Sequence, residues 1–276
     1  MSTVAEAVRY MRNNPKYAEL IHDTYLGENV FESAERFRRS AEFLEVQKLI
    51  GNRVRGGKVL DLGAGVGIAS RAFAECGARV VYALEPDPSD EIGRGAIRRL
   101  VQAASITIVD AYGEKIPLPD EEVDVVYARQ VLHHAQNLPQ VLLECARVLK
   151  PGGIFLACRE HVVDNDKQLR VFLDNHPVHQ LVGGENAFRL EEYIDAIRSA
   201  GLELENVFGP WDTVINAFPA VKTIEELKGY PQTVLKRRLG RFGALLSNTP
   251  GIDTLVWRWL KRPVPGRPYA FLATKP

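Results

Sequence analysis

Residues 59–67, Val-Leu-Asp-Leu-Gly-Ala-Gly-Val-Gly, constrain the fold more than any other stretch of this 276-residue chain. A short apolar run enters three glycines at alternate positions, and the following IASRAFAECG carries the period of a helix. Glycine accepts backbone conformations closed to other residues and lets the main chain approach a ligand, so this is a strand turning into a helix beside a binding site. A dinucleotide fingerprint would need Gly at 63, 65 and 68. Position 68 is Ile, which argues against a nicotinamide cofactor.

The same alternation continues. KVLDLG, RVVYALE, SITIVD, VDVVYAR and GIFLACRE read as buried parallel strands, and ELENVFG and PYAFLATKP follow as a sixth and a seventh. The intervening helices include LPQVLLECARVLKPGG, ended by Pro151 and two glycines, and FRLEEYIDAIRSAG. These elements predict an α/β fold: a Rossmann-like, doubly wound seven-stranded sheet, mainly parallel, with an antiparallel last strand. Before it, apolar positions from Phe31 to Leu49 predict an amphipathic helix stopped by Gly51. The expected division is a helical lid (1–50), a core (51–218), a basic cap (219–266) and the last core strand (267–276). The stretch between the fifth strand and FRLEEYIDAIRSAG should sit over the pocket, since open α/β sheets bind ligands beyond the carboxyl ends of their strands.

Net charge is zero, with 35 basic and 35 acidic residues, yet residues 219–276 hold eleven Lys or Arg against Glu225, Glu226 and Asp253. Cys76, Cys145 and Cys158 are odd in number and form no CxxC pair, so they read as packing residues of a reducing cytoplasm, with no metal ligand set. No apolar run approaches the length of a membrane span, and the first residues carry no secretory signal.

Chemistry concentrates after the strands. Glu85 ends the second strand eighteen residues beyond Gly67, where a carboxylate can accept bonds from both hydroxyls of a ribose. Asp110 ends the third and suits an exocyclic adenine amine, and Asp61 can organise the glycine turn or reach a ligand ammonium. In order, VLDLGAGVG, LEPD, VDAYGEKIPLPDEEVDVVYARQVLHH and ARVLKPGG resemble the class I S-adenosylmethionine-dependent methyltransferases of the small-molecule and quinone type, over about residues 57–160. The resemblance implies that Gly63, Ala64, Gly65 and Gly67 hold the methionine moiety, Glu85 the ribose, and Asp110 with Ala111 the adenine. It also implies that Arg129 and Gln130 line the methionine side and that His134 lies near the cofactor. Arg129 departs from relatives, which often carry a smaller or polar residue there.

The cofactor implied is S-adenosyl-L-methionine, and the function implied is methyl transfer to a small-molecule or glycan acceptor, most simply an oxygen. A hydroxyl acceptor needs a base, and His161, leaving the fifth strand, is the candidate. His133 and His134 can be structural or functional, and His176 and His179 read as loop histidines of the cap. Cations alternate with apolar residues and Trp257 and Trp259 across 232–262, a pattern suited to the inner membrane face or an anionic ligand. The alternative is an amphipathic cap with solvated cations. No nucleic-acid module is present. Two rival functions are a noncatalytic cofactor-binding partner subunit and N- or C-methylation of a lipid or quinone-like substrate.

Overall fold

The computed structural model describes residues 3–101, 105–246, 249 and 251–276. Its strands are β1 (Lys58–Leu62), β2 (Val80–Leu84), β3 (Ile106–Val109), β4 (Val123–Arg129), β5 (Leu149–Val163), β6 (Phe188–Arg189), β7 (Glu203–Phe208) and β8 (Arg267–Thr274). They form one sheet in the order β3-β2-β1-β4-β5-β8-β7, and the two-residue β6 pairs with the end of β5. β8 runs antiparallel between β5 and β7, and the other pairings are parallel. The expected doubly wound sheet with an antiparallel last strand is therefore present, with β6 as a short addition. Strand order reverses between β1 and β4, which opens a crevice at their carboxyl ends.

Both faces are covered because the central strands are apolar on both sides. On one face Phe37, Phe43, Phe73 and Tyr127, all fully buried, form a chain of ring contacts with centroids 5.1–5.2 Å apart that ties the N-terminal helices to the sheet. On the other, Leu142, Cys145, Val148, Tyr193 and Ile197 pack on Leu60, Val126 and Phe155. Asp61 is the one polar residue among the buried positions of β1.

Two expected helices end differently. The helix read from Phe31 to Gly51 is two, Val30–Arg39 and Ala41–Ile50, because Ser40 is extended and its hydroxyl accepts the Phe43 N–H at 3.1 Å, capping the second. The helix Leu138–Val148 stops before Pro151 is reached. Lys150, which precedes that proline, is driven to extended backbone, and residues 149–153 join β5 through a register shift against β4. After β7 come the helices Val214–Ala217, Ile224–Lys228, Tyr230–Leu246, broken in two at Gly240 by a φ of 55°, and Ile252–Leu260, and β8 follows them. Ser247, Asn248 and Pro250 of the basic segment lie outside the described residues. No helix among the described residues is long and apolar enough to cross a membrane.

Candidate active site

The glycine turn after β1 is built for close approach. Gly63, Gly65 and Gly67 take φ of 64°, 54° and 83°, and a Cβ on Gly63 would sit 2.2 Å from the Val131 side chain. The Gly65 N–H donates to Glu85 Oε2 at 2.7 Å, and the Asp87 N–H donates to Glu85 Oε1 at 2.9 Å. Burial raises the Glu85 carboxyl above its ordinary range despite these two bonds.

Gly63, Gly65 and Glu85 line a cavity of about 470 Å³ at the strand reversal, with Tyr112–Glu114 after β3 and Gln130–Leu132 after β4. Val4 and Val8 of the helix Val4–Arg12 and Gly183–Glu185 from the segment after β5 complete the wall. A cavity of this size suits a nucleoside-sized ligand.

The remaining sequence candidates divide. Gln130 and His134 line the cavity, and Gln130 does so from a left-handed backbone with φ of 53°, uncommon for a non-glycine residue. Asp61 lies behind the loop, 2% exposed, and accepts the Ser70 hydroxyl at 2.5 Å. Burial pushes its carboxyl up to about 7. Ala64 and Gly67 shape the turn: the Ala64 N–H donates to Leu84 O at 2.9 Å, and Gly67 abuts Ile97 and Leu100. Asp110 is largely exposed and paired with Arg94 at 2.5 Å, outside the cavity wall, and Ala111 packs on the apolar cluster, so the residues after β3 that do line the cavity are Tyr112, Gly113 and Glu114. Arg129 is turned away into a bidentate pair with Glu42 at 2.7 and 3.1 Å, beneath the Tyr25 and Phe37 rings. It reaches the cavity only through a 3.1 Å bond to the Gln130 amide oxygen.

A second chamber of about 230 Å³ adjoins the first and shares Leu26, Gln130, His134, Val178 and Glu185 with it. His133, His161 and His176 line its other side. A bulge in β5 opposite β8, with Arg159 at a φ of 61°, sets the direction of Glu160 and His161. Glu160 is fully buried; it accepts the N–H groups of Val131 and His133 at 3.0 and 3.1 Å and faces His133 Nδ1 at 2.8 Å. Burial lowers His133 to about 3. His161 Nδ1 lies 2.9 Å from the Gly266 carbonyl, which only accepts, so Nδ1 carries the proton and Nε2 keeps a lone pair. His161 is lowered too, chiefly by burial, and stays neutral near pH 7.

His176, read as a loop histidine, is the half-buried extended residue before the helix Pro177–Val182, with its ring 6.0 Å from that of His161, whereas His179 lies within that helix. Glu185 was not singled out in the sequence, because a lone acid in a polar loop carries no periodic signal. Burial raises it to about 7.

Residues 60–157 match the family model described as a methyltransferase domain. The chain is 35% identical over 156 residues to a sterol 24-C-methyltransferase of Gibberella zeae, covering 54% of this chain and 40% of that one. It is 26% identical over 190 residues to a ubiquinone biosynthesis O-methyltransferase of Rhizobium etli, covering 67% and 71%. The chain thus spans well under two thirds of the sterol relative. In fold it is similar to a chain from the complex between the Haloferax volcanii Trm112 methyltransferase activator and a methyltransferase, with TM-score 0.57, 17% identity, and 100% and 99% of the two chains covered.

Proposed function

We propose that this chain, a member of the class I S-adenosylmethionine-dependent methyltransferases through its domain at residues 60–157, transfers a methyl group to an oxygen of a small-molecule or glycan acceptor. The observation that carries the reading is the common wall of Gln130, His134 and Glu185 between the cavity at the glycine loop and the histidine chamber. One cavity then holds the methyl donor and the other the acceptor.

The residues fit the donor. Gly63 and Gly65 line the cavity with bare left-handed backbone, and Glu85 is a buried carboxylate with lone pairs left for ribose hydroxyls after its two backbone bonds. In this reading Gly63 and Gly65 face the methionine moiety, Gln130 and His134 flank it, and residues 112–114 take the adenine end. When bound, S-adenosylmethionine supplies an electrophilic methyl group. The chain's own task is alignment, exclusion of water and acceptance of a proton. His161 Nε2, left with a lone pair because burial keeps the ring neutral and the Gly266 carbonyl holds the proton on Nδ1, is the base for an acceptor hydroxyl. The helices of residues 1–50 serve as a lid over the donor and the segment 219–266 as a cap.

Incubation with methyl-labelled S-adenosylmethionine and panels of phenols and sugars tests this. Label on an oxygen, lowered at least tenfold in His161→Gln, supports it. Cofactor binding without turnover on any acceptor favours the noncatalytic partner subunit, and label on carbon or nitrogen removes the need for His161.

A specific observation also favours contact with an anionic membrane surface. Phe242, Leu245 and Leu255 are 78%, 74% and 62% exposed on the helices Tyr230–Leu246 and Ile252–Leu260, among Lys236, Arg237, Arg241 and Arg258. Apolar side chains left in water beside cations match the two terms by which an amphipathic helix binds acidic lipid.

A further inference from the structure

Glu185 sits among imidazoles. Its Oε2 is 3.8 Å from both His133 Nε2 and His134 Nε2, and its Oε1 is 3.8 Å from His176 Nδ1. The candidate donor atoms of His133, His134 and Glu185 all lie within 4.8 Å of one another. Glu185 is 10% exposed, and among the described residues no Lys or Arg side chain pairs with it. A carboxylate withdrawn from water is retained at low cost only when paired or bound to a metal.

Two further features point to a ligand. His176 Nδ1 is buried without a hydrogen-bond partner, which is uncommon for a polar atom in a folded interior. His133 is fixed from behind: Glu160, itself held by two backbone N–H groups, accepts from Nδ1 and leaves the lone pair of Nε2 on the Glu185 side. A carboxylate behind an imidazole is the arrangement that orients metal-binding histidines and raises their basicity.

We propose that His133, His134 and Glu185 bind one divalent first-row transition-metal ion, with His176 within reach as a fourth donor. Two imidazoles and one carboxylate suit zinc, iron, cobalt or nickel better than magnesium or calcium, which take oxygen ligands. Bond lengths of about 2.0–2.2 Å put neighbouring donors in a tetrahedral zinc site about 3.4 Å apart, so the Glu185 separations need to close by a few tenths of an ångström. His134 is half exposed toward the donor cavity, which gives the ion an entry path.

The proposal deepens the methyltransferase reading and rests on it. An ion in the common wall, with positions open, selects acceptors that offer an oxygen lone pair and holds that oxygen beside His161.

Cobalt(II) titration of untagged, chelator-treated protein, followed by visible absorption and calorimetry, is the test. One equivalent with ligand-field bands is expected. Glu185→Gln and the more exposed His134→Asn should each weaken binding at least tenfold while retaining the wild-type circular dichroism. Glu160→Gln, a positioning change, should weaken it by about 10- to 100-fold. Absence of stoichiometric binding by the wild type, or binding indifferent to both Glu185→Gln and His134→Asn, overturns the site. S-adenosylhomocysteine binding to the same chelated wild type tests the methyltransferase reading separately, so either can fail alone.

Discussion

Glu85 Oε2 accepts the Gly65 N–H at 2.7 Å, so the carboxylate that ends β2 and the glycine turn that follows β1 form one rigid unit at the mouth of the larger cavity. The acid sets the loop and keeps lone pairs free for a ligand, which explains why the two motifs must occur together. The spacing visible in the sequence is the trace of that contact.

Gly63→Ala should damage the unit without touching its chemistry. The added Cβ would meet Val131 at 2.2 Å and demand a φ of 64° from alanine. Overpacking and strain of this kind cost about 1–3 kcal/mol, which urea unfolding measures, and S-adenosylhomocysteine affinity should fall with it. Unchanged stability and affinity would show that the cradle is looser than described.

The Glu42–Arg129 pair is buried beneath the N-terminal helices, with Glu42 2% exposed. Removing one partner, as in Glu42→Leu, leaves an uncompensated guanidinium and should cost about 3–5 kcal/mol in urea unfolding. The double variant Glu42→Leu/Arg129→Met should recover most of that loss. A single-variant loss below about 1 kcal/mol would mean that the pair is solvated.

Asp61 makes stability depend on pH in a defined direction. Its folded value of about 7 lies above the ordinary 3.8, so between these values the folded protein holds a proton that the unfolded chain releases. The stability it contributes at low pH is therefore lost as pH rises through about 7. Asp61→Asn, which never ionises, should gain on the wild type by on the order of 2 kcal/mol between pH 5 and pH 8. Equal differences at the two pH values would place Asp61 in the ionised state throughout.

The exposed apolar residues of the cap predict co-sedimentation with phosphatidylglycerol vesicles at low salt. Phe242→Asp/Leu245→Asp should reduce binding at least tenfold, and salt should weaken the remainder. Wild-type protein left entirely in the supernatant would return the segment to the solvated cap of the alternative reading.

The sheet was legible because buried parallel strands write continuous apolar runs, and Gly63, Gly65 and Glu85 were legible because a tight turn and a strand end fix their positions. Ser40 was a readable helix cap hidden inside a longer periodic pattern. Arg129 and Asp110 were assigned to the ligand by order along the chain, but each meets an oppositely charged side chain, Glu42 and Arg94, from an element whose placement only tertiary packing determines. The histidine chamber was least visible. It depends on a bulge at Arg159 and on a loop that carries His176 and Glu185 back over His133, and neither leaves a period in the sequence.

Calorimetric titration of S-adenosylhomocysteine into wild type and Glu85→Ala tests the central claim most directly. Micromolar binding by the wild type, lost in the folded variant, is the predicted result. No binding by folded, ligand-free wild type would contradict the account.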